Sequence, residues 1–434
     1  MKVKVLVISH NCFSTFQNMG KTLKGLFGSF EKEQICQLYL YPSFPNVDVC
    51  NSYFRITDEE VLKSIFHRTN CGQIIDKNEI NEDNSLFDDE QLSAKYQKGR
   101  RKKSYMMIAR NLIWKIGKWK TDGLMQWIKN ENPDIIFYAS GDFCFSHNIA
   151  LTISKKLNIP LVTYFCDDYF SIDRISLSPL YWVNKGMIRH CIRKTIQESK
   201  ELIYITDQFE KYYFKVLGKH GKVITTPYYQ KAMVAFDNRK ENTEPMVISY
   251  IGNISLKRWE TLIELGKVLS ILNKDNNKLV LNIYSQSTDK EIINRLSDGK
   301  SMFFKGALTT EEVYEIMEES DFLLHVESFD KIEAKRVRFS LSTKIADYLA
   351  SNKPIIAIGL EGTASIDYLK ENGAAFVFTD LYTLSDKLNR ILEKKLQIEV
   401  VNNAQRICDS NHNMEKNSLK LKTILETIKG GKNV

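Results

Sequence analysis

Short apolar, β-branched runs alternate along this chain with stretches of helical period, in two successive series. The first series opens with KVKVLVIS (residues 2–9) and continues into a helical pattern over 18–27. Thr57 and Glu60 stand at capping-box spacing ahead of Val61, Leu62 and Ile65, which predicts a helix start there. Residues 73–95 are acidic and amide-rich and read as an exposed loop; a basic helical stretch covers 100–130. Strand-like runs return at 134–140 (DIIFYAS), 160–166 (PLVTYFC) and 201–206 (ELIYIT), with helical segments between them.

Residues 229–245 lack periodicity and end in proline, the pattern of a linker. A second series then runs through MVISYIG (246–252), KLVLNIYS (278–285), MFFKG (302–306), DFLLHVE (321–327), KPIIAIG (353–359) and AAFVF (374–378), again alternating with helical patterns. Strands alternating with helices predict parallel sheets covered on both faces. The expected architecture is α/β, with two doubly wound, Rossmann-like domains over 1–228 and 246–414. The lysine-rich segment 415–430 reads as a terminal helix that joins the first domain.

Length and composition agree. The chain has 434 residues, 43% of them hydrophobic and 11% aromatic, enough for two cores and too apolar for disorder. The net charge of +8 suits anionic ligands without identifying one. The eight cysteines include no C-x-x-C pair, so neither a zinc site nor a redox pair is indicated, and they read as thiols in a reducing compartment. The opening apolar run is too short for a signal peptide and reads as a first strand. No run is long enough to cross a bilayer, and the expected location is cytoplasmic.

In open parallel sheets ligands bind beyond the carboxyl ends of the strands. In the second series that rule selects Gly252 and Asn253 after the first strand, Ser285 after the second, Gly306 and Leu308 after the third, and Glu327 after the fourth. Lys257 and Arg258 open the next helix, and Arg336 and Arg338 lie in the polar connection 328–344. The amides of a helix starting near Ser342, beside Thr343 and Lys344, are suited to a diphosphate. Asp347, about one turn on, is placed to accept hydrogen bonds from ribose hydroxyls.

The segment SLSTKIADYLASNKPIIAIG (340–359), preceded by TEEVYEIMEESDFLLHVESFD (310–330), resembles the donor-binding half of bacterial GT-B glycosyltransferases of the retaining class. YIGNISLKRWETL (250–262) resembles the first loop and helix of that half, and NMGKTLKGLF (18–27) the opening helix of polysaccharide-assembly members. The resemblance implies two domains facing across a cleft, with a nucleotide-sugar donor in the second and a glycan or lipid-linked acceptor in the first. It also implies retention of configuration without a metal or other cofactor. Members often carry two acids eight residues apart; with Asp347 as the second, Phe339 stands at the first position, and Glu327 is the candidate to take over sugar recognition.

Bond cleavage at the donor leaves negative charge on the departing phosphate, and Lys344 and Arg258 are the cations expected to stabilise it. On the acceptor side the candidates are His10 and Asn11 after the first strand, and Asp142, Asp167 and Asp168 after later ones. The plain alternative is that Asp168 caps a turn and His10 packs locally. Gly20–Lys21–Thr22 falls short of a phosphate loop because Thr15 stands where that loop needs a glycine, and no G-x-G-x-x-G or D-x-D occurs. The stretch 99–128, with eight basic residues and Trp114, Trp119 and Trp127, is either a face for an anionic membrane or an amphipathic helix docked in the core. Segment 180–194 is a second membrane candidate. No nucleic-acid recognition motif accompanies the charge. Two other functions fit the same fold: a noncatalytic nucleotide-sugar-binding or membrane-adaptor protein, and a sugar-nucleotide epimerase.

Overall fold

Every residue of Val5–Ser9, Ile35–Tyr39, Ile135–Ala139 and Leu161–Phe165 is buried, as strands covered on both faces must be. A computed structural model of the chain describes residues 2–15, 18–67, 71–76, 80, 103–228, 245–274, 278–381 and 384–431. The predicted linker lies outside these except for its last residue. The chain divides into two compact units, Met1–Thr225 together with Met414–Val434, and Thr226–Asn413.

The first unit is built on an eight-stranded sheet in the order β4-β3-β2-β1-β5-β6-β7-β8. Its strands are β1 (Val5–Ser9), β2 (Ile35–Tyr39), β3 (Ser52–Arg55), β4 (Gln73–Ile75), β5 (Ile135–Ala139), β6 (Leu161–Phe165), β7 (Glu201–Tyr204) and β8 (Lys222–Val223). All pairs are parallel except β3–β4. Four strands went unnamed in the sequence pattern. β2 was obscured by Gln37, which is fully buried because its side chain ties down the loop after β1: Nε2 donates to Ser9 Oγ (2.8 Å) and the Asn11 carbonyl (3.2 Å), and Oε1 accepts from the Phe13 amide (3.0 Å). β4 corrects the loop expected from residue 73, since Gln73–Ile75 pairs antiparallel with β3.

The capping box forms as its spacing requires: Glu60 accepts from the Thr57 amide at 2.6 Å, Thr57 Oγ1 accepts from the Glu60 amide at 3.3 Å, and the helix is Asp58–Phe66. From residue 103 on, the basic stretch forms two helices, Ser104–Ile116 and Asp122–Glu131, parted at Gly117 and restarted by Thr121, whose hydroxyl accepts from the Leu124 amide at 3.2 Å. The last helix, Met414–Lys429, packs on Asn18–Leu26; Ser418 Oγ accepts from the Ser29 amide (2.8 Å) and Lys429 pairs with Asp134 (2.8 Å).

The second unit carries a six-stranded, all-parallel sheet, β11-β10-β9-β12-β13-β14. The strands are β9 (Met246–Ile251), β10 (Leu279–Tyr284), β11 (Met302–Gly306), β12 (Phe322–Val326), β13 (Ile355–Ile358) and β14 (Phe376–Phe378), each within a run anticipated from the sequence. From β9 the chain winds outward through β10 and β11, then returns to place β12 on β9's other side. The order reverses between β9 and β12, so their carboxyl ends flank a crevice.

Candidate functional site

Gly252 follows β9 and Glu327 follows β12, one on each side of that crevice. The rim is held by amides just past the strands: Gly252 N–H donates to Tyr284 O (2.9 Å), Ser285 N–H to Gly306 O (2.7 Å), and Glu327 N–H to Ile358 O (2.8 Å). Lys344, in the first turn of the helix Thr343–Ala350, sends its ammonium under β9, where it donates to Ile251 O at 2.7 Å and lies 5.2 Å from the centre of the Tyr250 ring. A Cβ on residue 252 would occupy the place of the Lys344 Nζ, and Gly252 has φ 155°, rare for any L side chain. Glycine at 252 and lysine at 344 are thus one structural unit.

Arg258, the first residue of the helix Arg258–Leu272, is bound to Glu327: Nε and Nη2 both donate to Oε2, at 3.0 and 2.8 Å. Glu327 is buried; its backbone carbonyl accepts from Thr261 Oγ1 (3.2 Å), and His325 Nε2 lies 3.4 Å from its other carboxylate oxygen. Burial alone would raise the Glu327 carboxyl, but His325 and Arg258 hold it below the usual carboxylate range. Burial pushes the His325 ring down. Lys344 is pushed down to about 8, first by burial and then by the Arg258 charge, with Glu327 opposing. The rim therefore presents an ionised carboxylate neutralised by Arg258, and a poorly solvated lysine whose ammonium is held by a backbone oxygen and the Tyr250 ring.

The chain leading into Arg258 adopts left-handed backbone at Leu256 and Lys257, both at φ 58°, a conformation that costs non-glycine residues free energy and is found where a fold over-determines it. Lys257 is exposed and paired with Asp330 at 2.6 Å. Asn253 is exposed and serves its own turn, Oδ1 accepting from the Ser255 amide at 2.6 Å. Ser285 is buried, Gly306 turns the chain at φ 91°, and Leu308 is half-buried in the connection that follows. Thr343 and Asp347 share the Lys344 helix and are half-buried; burial raises the Cys408 thiol, and the charges of Asp409 and then Asp347 add to the rise.

The structure adds three details to the sequence reading. Ser342 does not cap its helix: its hydroxyl makes no cap hydrogen bond, and its amide donates to Ser365 Oγ at 3.1 Å. The polar connection 328–344 contains a helix, Lys331–Val337, and there Arg336 pairs with Glu333 at 2.7 Å. Phe339, where a paired acid would stand, is buried with Arg338 over its ring at 4.4 Å. Sequence reasoning also missed two rim residues. His325 points from within β12 to Glu327. Gly359, at the end of a run that was recognised, lies so close to Glu327 that a Cβ there would come within 2.8 Å of the Glu327 Cβ.

In the first unit the order reverses between β1 and β5, and His10, Asn11 and Asp142 stand at that switch. His10 is half-buried, its ring 5.3 Å from Tyr41 and 6.1 Å from Phe143. The Asn11 carbonyl accepts from Ser9 Oγ at 2.8 Å. Asp167 accepts from Tyr169 OH at 3.0 Å, and after burial the charges of Asp167 and Asp142 raise that phenol well above its ordinary value. Asp168 is a turn cap: one carboxylate oxygen accepts from the Phe170 and Ser171 amides and from Tyr213 OH, at 3.0–3.1 Å.

The membrane reading of 99–128 fails on its tryptophans. Trp114, Trp119 and Trp127 are buried in the core of the first unit, Trp114 stacked on Phe145 and donating to Asp58 (2.6 Å), Trp127 donating to Ser52 Oγ (3.0 Å). They are packing residues, out of reach of a headgroup layer. Residues 99–102 lie outside the described part. Among the described residues, no helix is long and apolar enough to cross a membrane, and no group of three His, Cys, Asp or Glu side chains is disposed to hold a metal ion.

Two mostly parallel sheets, each with its own switch crevice and flanking helices, define the GT-B class of fold. Solved structures bear this out along nearly the whole chain. Sucrose-phosphate synthase from Thermosynechococcus elongatus is similar at TM-score 0.64 and 10% identity, covering 99% of this chain and 100% of that one. A trehalose-6-phosphate enzyme from E. coli, bound with UDP-2-fluoro glucose, is similar at TM-score 0.56 and 11% identity over 98% and 99%. A putative UDP-N-acetylglucosamine 2-epimerase from Listeria monocytogenes is similar at TM-score 0.53 and 13% identity over 99% and 97%. No family model matches the chain, and no curated protein matches it.

Proposed function

We propose that this chain is a nucleotide-sugar-dependent glycosyltransferase. The observation that carries the reading is the meeting of Gly252, Lys344 and the Arg258–Glu327 pair at the switch crevice of the second sheet. A donor diphosphate there would meet the uncapped amides of the Thr343–Ala350 helix and the Lys344 ammonium, both favourable to a dianion. In the reaction the bond between the anomeric carbon and the phosphate oxygen breaks, and its electron pair stays on the nucleoside diphosphate. The oxygen of an acceptor hydroxyl bonds to the anomeric carbon, and its proton passes to the departing phosphate oxygen. Lys344 stabilises the developing phosphate charge; Arg258 orients Glu327, which accepts hydrogen bonds from the donor sugar; Asp347 serves the ribose.

The sequence resemblance supports retention of configuration, catalysis without a metal, and a glycan or lipid-linked acceptor in surface-polysaccharide assembly on the cytoplasmic side. Asp142 and Asp167, at the rim of the first sheet, are candidates to orient that acceptor. UDP-2-fluoro glucose in one similar structure makes UDP-sugars the first donors to test. The epimerase fold neighbour gives a second reading a specific basis.

One experiment separates the readings: incubate the protein with UDP-, GDP- and ADP-sugars, follow melting temperature, and analyse products. A ligand-induced rise in melting temperature together with nucleoside diphosphate release and a new glycosidic bond supports the transferase. Inversion at C2 without transfer would assign an epimerase, and binding without turnover an adaptor.

A further inference from the structure

Five large apolar side chains project from a short segment of the first unit. Ile175 is 92% exposed, Leu177 100%, Leu180 47%, Trp182 41% and Val183 51%. They belong to the connection after β6 and to the first turns of the helix Pro179–Glu198. Isolated exposed leucines are ordinary, but five within nine residues form a patch of the kind that marks an interaction surface.

The segment is held in place by polar contacts among its own residues. Asp173 accepts from Tyr181 OH at 2.8 Å and pairs with Lys185 at 3.4 Å; Trp182 Nε1 donates to Ser176 O at 2.7 Å; Arg174 lies 5.3 Å from the Tyr181 ring. Asp173 is the sole acid among residues 171–194, against Arg174, Lys185, Arg189, Arg193 and Lys194. Its charge is engaged by Tyr181 and Lys185, which leaves apolar groups at the tip and cations further along the helix. Arg174 is exposed beside Ile175, and His190, Arg193 and Lys194 are exposed further along the same helix.

Placement adds a second argument. β1, β5 and β6 are parallel, so His10, Asp142 and the connection after β6 all leave the same edge of the sheet. The apolar tip therefore shares a rim with the residues proposed to meet the acceptor.

We infer that the segment 174–183, with the exposed Arg193 and Lys194 behind it, docks the first unit onto an anionic lipid bilayer. The tip enters the interfacial layer, and the cations meet lipid phosphates about three helical turns behind it. The acceptor is then lipid-linked, its hydroxyl delivered at the membrane plane; this last consequence rests on the glycosyltransferase reading, while the docking does not. A second copy of the chain is the competing occupant, but a cationic collar around an apolar tip repels its own like and suits an anionic surface.

The test is co-sedimentation of the full chain with vesicles of phosphatidylcholine alone and of an equal mixture with phosphatidylglycerol, at low and high salt. Wild type should bind the mixed vesicles and lose most of that binding in high salt. The double variant Ile175→Ser/Leu177→Ser, at two sites that the fold leaves exposed, should bind at least roughly tenfold more weakly, whereas Leu112→Ser/Ile116→Ser, at exposed apolar positions on another helix, should bind as wild type does. Unchanged binding by the first pair, equal loss from both pairs, or absence of wild-type binding overturns the inference. So does a concentration-dependent dimer, seen by ultracentrifugation, that the first pair disperses. Donor hydrolysis measured without vesicles keeps the questions apart: hydrolysis without vesicle binding sinks the docking alone, and vesicle binding without hydrolysis or transfer sinks the catalytic reading alone.

Discussion

Lys344 holds a positive charge in a place that disfavours it. Burial and Arg258 both lower its proton affinity, yet a bound diphosphate would reverse that balance. With Lys344 at about 8 in the ligand-free protein, the ammonium is present below that pH and is lost as pH rises through it. Affinity for a nucleoside diphosphate should accordingly be steady at neutral pH and fall above about 8, by up to about tenfold per unit. Lys344→Arg should abolish the break, because arginine does not titrate there; calorimetric titration at several pH values checks this. Lys344→Ala should lower turnover by about a hundredfold, the scale of removing one preorganised donor from a developing anion. Gly252→Ala should weaken nucleoside diphosphate binding at least roughly tenfold, since the methyl displaces the lysine head and the backbone resists a side chain. Wild-type affinity in that variant would show that Lys344 does not hold the ligand.

At the scale of elements, the loop entering the helix Arg258–Leu272 stores strain at two left-handed residues, of order 1–3 kcal/mol each. Lys257→Gly should raise stability by up to about 1 kcal/mol, because relief of the left-handed backbone strain outweighs both glycine's greater freedom in the unfolded chain and the loss of one exposed ion pair to Asp330. Lys257→Val should lower it by more than about 1 kcal/mol, since a β-branched residue tolerates that backbone least; urea denaturation distinguishes the two. The paired helices Ser104–Ile116 and Asp122–Glu131 show what an element's sequence leaves open. Their tryptophans and cations fit a membrane face or a core face equally well as patterns. The choice fell to the core because Trp114 finds Phe145 and Asp58, and Trp127 finds Ser52, partners distant in the chain.

For the whole molecule, the telling feature is that the first unit is closed by the last helix. Leu421, Ile424, Leu425 and Ile428 are buried against it, and each buried side chain of this size contributes roughly 1.5–3 kcal/mol. A chain ending at Asn413 should therefore lose several kcal/mol from the first unit while the second unit, whose strands and site residues lie within 226–413, keeps its own melting transition. Differential scanning calorimetry of the truncated and full chains would show whether only one transition moves.

The sequence by itself determined most of the strands and the class of fold. Strand runs such as MVISYIG and KPIIAIG are local, continuous and apolar, and the helix start at Thr57 depends on residues three apart. Gly252, Lys344, Arg258 and Glu327 could also be named, because strand ends are legible wherever strands are. Only the tertiary structure decided how these residues engage. It set Lys344 beneath Gly252 across 91 intervening positions, spent Arg258 on Glu327, left Ser342 without a capping role, and brought Gly359 and His325 to the carboxylate. It also drew the tryptophans inward and left Ile175 and Leu177 outside. Local propensity acts within a few residues; burial, pairing and close approach depend on which distant segments the sheet order brings side by side.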